Sequence, residues 1–119
     1  MNAKDFKKQF KLVKSMAVSI EKQIGTIIHW RKVNPEKNHN EASITVFTRW
    51  ALVLKEQIDR YKFSIGVLSD MVIISGNDAW QSEQLIVVDQ LKGCIPEMVE
   101  CQTLVNLWVD TLSKPEVVH

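Results

Sequence analysis

Residues 44–72 read ITVFTRWALVLKEQIDRYKFSIGVLSDMV, and this stretch decides the fold. Apolar residues recur in it at alternating intervals of three and four positions. The members of this repeat are Ile44, Phe47, Ala51, Leu54, Ile58, Tyr61, Ile65, Leu68 and Val72. Such a repeat keeps one stripe of an α-helix turned toward a partner helix over many turns. The stretch therefore predicts a long helix that packs lengthwise against others.

The sequences on both sides carry the same repeat. The upstream repeat consists of Phe6, Phe10, Val13, Ala17, Ile20, Ile24 and Ile27. The downstream repeat consists of Trp80, Gln84, Val87, Leu91, Cys94, Met98, Cys101, Val105, Trp108 and Leu112. Three stripes of similar length predict an all-α fold, an antiparallel bundle of three long helices.

Asparagine and proline predict the end of the first helix and the start of the second. The residue before a proline avoids the helical region of backbone space, so Asn34-Pro35 should end a first helix over residues 3–33. Asn40 is a candidate N-cap for a second helix over residues 41–75.

The start of the third helix is predicted from Gly76, which supplies the left-handed residue that commonly follows a helix. Asp78 is a candidate N-cap, and Gln81, three residues on, is its capping-box partner. The third helix should then run over residues 79–113.

The third segment contains Gly93 and Pro96, two residues that disfavour a helix interior. The apolar repeat nevertheless keeps its phase across them, which a reversal of the chain would not require. We therefore expect one helix with a kink near Gly93–Pro96. The alternative is a four-helix bundle in which residues 79–92 and 97–113 form a hairpin.

Composition indicates a single folded domain over residues 1–119, with a frayed tail at 114–119. Hydrophobic residues make up 45% of the chain and charged residues 24%, as in ordinary globular proteins. The most apolar segment, residues 63–74, is interrupted by Asp70 and is shorter than the ~18 residues a membrane span needs. We expect no membrane partner.

The two cysteines, Cys94 and Cys101, lie seven positions apart on one stripe. That separation is too long for a disulfide within a continuous helix, so we expect two small buried apolar side chains. Free thiols fit a reducing compartment, and the N-terminal segment lacks the continuous apolar region of a secretory signal. These features predict a cytoplasmic protein.

Charge is distributed unevenly along the chain. Residues 1–33 carry eight basic and two acidic side chains, a net charge of +6, whereas residues 76–119 carry two and seven, a net charge of −5. Off the apolar stripe of the first helix lies a group of candidate contact residues. They are Lys4, Lys7, Lys8, Lys11 and Lys14. Such a face can contact phosphate groups of a nucleic acid, an acidic protein partner, or the acidic third segment of the chain itself.

Two tryptophans, Trp30 and Trp50, flank the stripes and are candidate interface aromatics, although packing at the edge of the core is the other interpretation. No acidic residue lies on any stripe, Glu-x-x-His does not occur, and the four glycines are widely separated. Di-iron bundles need inward glutamates and paired Glu-x-x-His motifs, and phosphate loops need clustered glycines. We expect no catalytic residues, no cofactor and no metal.

These patterns favour a small non-enzymatic interaction module, such as an adaptor, an assembly subunit or an inhibitor. The second helix and the third segment carry more apolar residues than three helices can cover, so a homo-oligomer is expected. The alternative function is an accessory subunit of a nucleic-acid-processing complex, with the first helix contacting the phosphate backbone.

Overall fold

The computed structural model describes residues 3–33, 41–76 and 78–113. Its helices are α1 (Ala3–Val33), α2 (Glu41–Ile74), α3 (Asp78–Lys92) and α4 (Ile95–Ser113). α3 and α4 are the two parts of one kinked third helix. The predicted all-α bundle of three long helices is confirmed. The predicted N-cap Asn40 and the predicted frayed tail 114–119 lie outside the described residues.

The third helix runs the length of the bundle, parallel to α1. At one end, Phe6 of α1 meets Trp80 of α3 edge to face, with ring centroids 5.1 Å apart. At the other end, Phe47 of α2 lies 6.5 Å from Trp108 of α4. A hairpin of α3 and α4 would bring these two tryptophans to the same end. The four-helix alternative is therefore wrong.

Hydrogen bonds carry the helix through the kink. The Gly93 amide donates to the Asp89 carbonyl at 2.9 Å, and the Cys94 amide donates to the Leu91 carbonyl at 3.3 Å. The Met98 amide then donates to the Cys94 carbonyl at 3.2 Å. Pro96 has no N–H, and a proline ring crowds the carbonyl four residues earlier, so the helix bends here without reversing.

The core lies along α2, whose buried residues outnumber those of every other described helix. α1 contributes one buried residue per seven positions. The buried apolar residues are Phe6, Val13, Ile20, Ile27, Phe47, Ala51, Leu54, Ile58, Tyr61, Ile65, Leu68, Val72, Val88, Met98 and Val105. Val88 is buried where the stripe predicted Val87. A straight helix has 3.6 residues per turn, so its contact face drifts from a seven-residue repeat until the kink restores it.

The connection between α2 and α3 has one contact beyond those predicted. Gly76 has the predicted left-handed backbone, with φ of 72°. The Gln81 side chain, predicted as the capping-box partner of Asp78, also reaches back to α2. Its Nε2 donates to the Ile73 carbonyl at 2.9 Å and so satisfies the last turn of α2.

The expected burial of both cysteines is wrong for Cys94. Cys94 is exposed and Cys101 is half-buried, and both are free thiols. Cys94 lies in the turn between α3 and α4, where its thiol neighbours Tyr61 of α2 and lines a small cavity toward α1 but stays open to solvent.

The molecule is elongated, with extents of 67 × 21 × 18 Å. In the described part of the chain, no helix combines the length and the apolar character that a bilayer span requires.

Candidate functional site

A concave surface lies between α1 and α2. Two adjoining cavities of about 520 and 270 Å³ share Leu12 and Ser15 as lining residues. We call them together the α1–α2 groove. Its walls are Asp5, Lys8, Gln9, Lys11, Leu12, Ser15, Met16, Ser19, Gln57, Arg60 and Met71. Among the described residues the walls come from α1 and α2 alone, so the third helix covers the opposite side of this helix pair.

The groove has an apolar floor that continues along α2. Leu12 is 50% exposed, and Met16 and Met71 are half-buried. Val46 and Val53 precede Arg60 at intervals of seven residues, which returns them to nearly the same helical face. Both valines are exposed. An apolar strip therefore extends along the face of α2 that borders the groove.

The predicted interface aromatics Trp30 and Trp50 come together at the junction of α1 and α2. Trp30 stacks on Phe47 with centroids 4.8 Å apart and meets Trp50 edge to face at 6.2 Å. Phe47 continues the cluster to Trp108, over whose ring the Arg31 guanidinium lies at 5.8 Å. Trp30 and Trp50 are half-buried. They pack on the core and keep part of their surface exposed.

The five candidate lysines are all exposed, but the structure divides them into two groups. Lys8 and Lys11 line the α1–α2 groove. Lys4, Lys7 and Lys14 are not among its walls, and the ammonium of Lys14 lies 5.6 Å from the centroid of the Phe10 ring. The groove thus joins basic side chains to apolar ones, which the lysine pattern alone did not predict.

Gln57 is a groove residue that the sequence analysis missed. Its Oε1 is buried and has no hydrogen-bond partner among the described residues. Leaving a buried acceptor unpaired costs about 1–3 kcal/mol. A glutamine next to an apolar stripe gives no signal in the sequence, because its burial depends on how closely α1 approaches α2.

Two ionisable groups near the kink have shifted pKa values. Burial, followed by the neighbouring Cys94, raises the pKa of Tyr61 to about 12. Burial, followed by the charges of Glu97 and Glu100, raises the pKa of Cys101. A smaller cavity of about 150 Å³ lies beside both cysteines, between α1 and the third helix. A raised pKa reduces the thiolate fraction, so Cys101 is a poor nucleophile.

Other ionisable groups are dispersed. Within residues 3–33, 41–76 and 78–113, no cluster of three or more His, Cys, Asp or Glu could hold a metal ion. His29 is exposed, and the other two histidines lie outside the described residues. Comparison of this chain with protein-family models, with curated proteins and with solved structures finds no match.

Proposed function

We propose that this protein is a non-enzymatic, cytoplasmic interaction module that self-associates through its helical faces, with the α1–α2 groove as the principal contact. The observation that carries the proposal is the groove itself. It is long and apolar-floored, and it has no covering element among the described residues. A fourth helix packed against α1 and α2 would remove this apolar surface from water.

A second copy of the chain can supply that helix. Exposed apolar side chains lie on the third helix as well as at the groove, and they include Ile86, Leu104 and Leu107. Burying such side chains against the groove stabilises association by about 25 cal/mol per Å² of apolar area. The 67 Å length of the molecule offers room for the roughly 800 Å² per partner that stable interfaces bury.

Sedimentation equilibrium of the full chain tests the proposal. We expect a mass that rises with protein concentration above the 13.7 kDa of the single chain. Leu12→Arg places a charge on the groove floor and should weaken association by about tenfold or more. Phe63→Arg is the matched control, since Phe63 is 75% exposed on α2 and is not a groove residue. A mass of 13.7 kDa at all concentrations would overturn self-association.

A second candidate function is contact with a nucleic-acid phosphate backbone. The observation that favours it is the exposure of all five candidate lysines on α1. Binding of a generic duplex and a generic single strand should then weaken steeply with salt. Lys4→Glu with Lys7→Glu should weaken binding of all sequences alike, because phosphate contacts carry no sequence information. Absence of binding to either at low salt would eliminate this function.

A further inference from the structure

We infer that the α1–α2 groove of one copy receives the acidic outer surface of the third helix of the next copy, so that the chains associate head to tail. The inference rests on the proposed self-association and names the two surfaces that meet. The acidic outer surface is defined by Glu83, Ile86, Asp89, Glu97, Glu100, Leu104 and Leu107, all of which are exposed. Glu97 lies at its edge, since it also lines the small cavity between α1 and the third helix.

The groove has a basic rim. Lys8, Lys11 and Arg60 line it, against one acidic residue, Asp5. Both lysines and Arg60 are exposed, so their charges stay hydrated at the edges while Leu12 and the two methionines form the floor. This arrangement fits an amphipathic helix whose apolar stripe is flanked by carboxylates.

The third helix presents such a stripe. Glu97, Glu100, Leu104 and Leu107 are spaced by three, four and three residues, which places them on one side of α4. Leu104 is 44% exposed and Leu107 is 57% exposed, although both lie on a bundle helix. The stripe therefore combines uncovered leucines with acidic neighbours.

The rest of the third helix has the same sign of charge. Residues 78–113 contain six acidic side chains and one lysine. On α3, Glu83 and Asp89 bracket the exposed Ile86. Acidic and apolar residues thus alternate along the outer surface from Glu83 to Leu107, a stretch longer than the groove.

Pairing of two grooves with each other is disfavoured by charge. A symmetric contact would bring two sets of Lys8, Lys11 and Arg60 to one interface, and like charges placed together lower affinity. Pairing the groove with the acidic outer surface brings opposite charges together. Such a contact is heterologous, so one end copy of the assembly keeps a free groove and the other keeps a free acidic surface for the next copy.

The first test is the salt and charge dependence of self-association, measured by sedimentation on the full-length protein. Raising the salt concentration should weaken association, because the rim pairs are exposed. Lys8→Glu with Lys11→Glu should raise the dissociation constant by about tenfold, and Glu97→Lys with Glu100→Lys should do the same. Lys4→Glu with Lys7→Glu changes the net charge by the same amount as Lys8→Glu with Lys11→Glu but does not alter the groove. It should therefore leave association unchanged.

The second test mixes the two interface variants. The K8E/K11E protein keeps its acidic outer surface, and the E97K/E100K protein keeps its groove. Their mixture should regain association and form assemblies larger than a dimer, since the unaltered groove–surface pair and the doubly reversed pair are both complementary in charge. A groove-to-groove contact instead predicts a one-to-one dimer of the two variants, because only their two grooves would meet, one acidic and one basic. The quadruple variant carries both charge reversals and should regain association with itself.

The outcomes separate the two proposals. A monomeric wild-type protein at every salt concentration overturns self-association and this inference together. An oligomer that resists salt and is unaffected by E97K/E100K overturns the head-to-tail contact and leaves self-association standing. Circular dichroism of each variant verifies that the exposed substitutions leave the helical fold intact.

Discussion

The Tyr61 hydroxyl of α2 donates a 2.6 Å hydrogen bond to the carbonyl oxygen of Leu91, at the end of α3. Tyr61 is fully buried, and Leu91 lies immediately before the kink. Pro96 interrupts the backbone hydrogen bonds of the helix nearby. The hydrogen bond from the Cys94 amide to the Leu91 carbonyl is long, at 3.3 Å. The hydrogen bond from Tyr61 therefore links the kink of the third helix to α2.

Replacing Tyr61 by Phe should lower the free energy of unfolding by about 1–2 kcal/mol, because a buried hydrogen bond across two helices is lost. Urea unfolding followed by circular dichroism measures this change. Thr48→Val is the matched control. Its hydroxyl bonds only to the Ile44 carbonyl one turn earlier in the same helix, at 2.8 Å. A Tyr61→Phe variant no less stable than the control would show that the bond does not hold the kink.

Alkaline pH should destabilise the wild-type protein through Tyr61. The pKa of Tyr61 is raised to about 12 in the fold, whereas tyrosine in an unfolded chain titrates near ~10. As the pH rises, the unfolded chain therefore loses the Tyr61 proton at a lower pH than the folded chain. The stability that the buried neutral phenol contributes is complete below pH ~10 and declines as the pH rises toward ~12. The stability difference between wild type and Tyr61→Phe should shrink over this range. The chain has one tyrosine, so ultraviolet absorbance follows its ionisation directly.

Replacing each of two glycines by alanine should change the stability of the protein in opposite directions. A Cβ added at either Gly66 or Gly76 meets no heavy atom within 4 Å. The two substitutions therefore differ only in the backbone conformation at each position. Gly66 lies inside α2, and Gly66→Ala should stabilise the protein by about 0.5–1 kcal/mol. Gly76 has φ of 72°, and Gly76→Ala should destabilise it by about 1 kcal/mol. Thermal unfolding of the two variants measures both changes, and equal shifts would contradict the left-handed connection.

The two thiols should differ in reactivity. Cys94 is exposed, whereas Cys101 is half-buried with a pKa raised by burial and by Glu97 and Glu100. Iodoacetamide at neutral pH should alkylate Cys94 several-fold faster, as measured by mass spectrometry on C94S and C101S variants. The E97K/E100K protein should be alkylated faster at Cys101, because the two negative charges that raise the pKa of this thiol are replaced by positive ones. Equal rates at the two positions would contradict the greater exposure of Cys94.

Much of the fold was predictable because it depends on local sequence. The repeat from Ile44 to Val72 selects one helical stripe, and burying that stripe is what the bundle requires. The phase kept across Gly93 and Pro96 correctly indicated a kink in place of a hairpin. Cys94 was wrongly expected to be buried, since a periodic pattern assumes a regular helix and cannot show which residue a turn at the kink leaves open to solvent.

The candidate site was predictable only in parts. The lysines of α1 and the two flanking tryptophans were visible as residue types off the stripes. The division of the lysines into groove and non-groove groups was not visible, because it depends on which side of α1 borders α2. Gln57 and Arg60 were missed for the same reason.

The sequence by itself determined the extent and order of the helical segments and the uneven charge between the two ends of the chain. These properties follow from residue spacing and composition, which act within one helix. Only the tertiary structure decided that the third helix covers one side of the α1–α2 pair and leaves the other as a groove. That choice depends on how side chains from separate helices, such as Phe6 with Trp80 and Phe47 with Trp108, fit together in space.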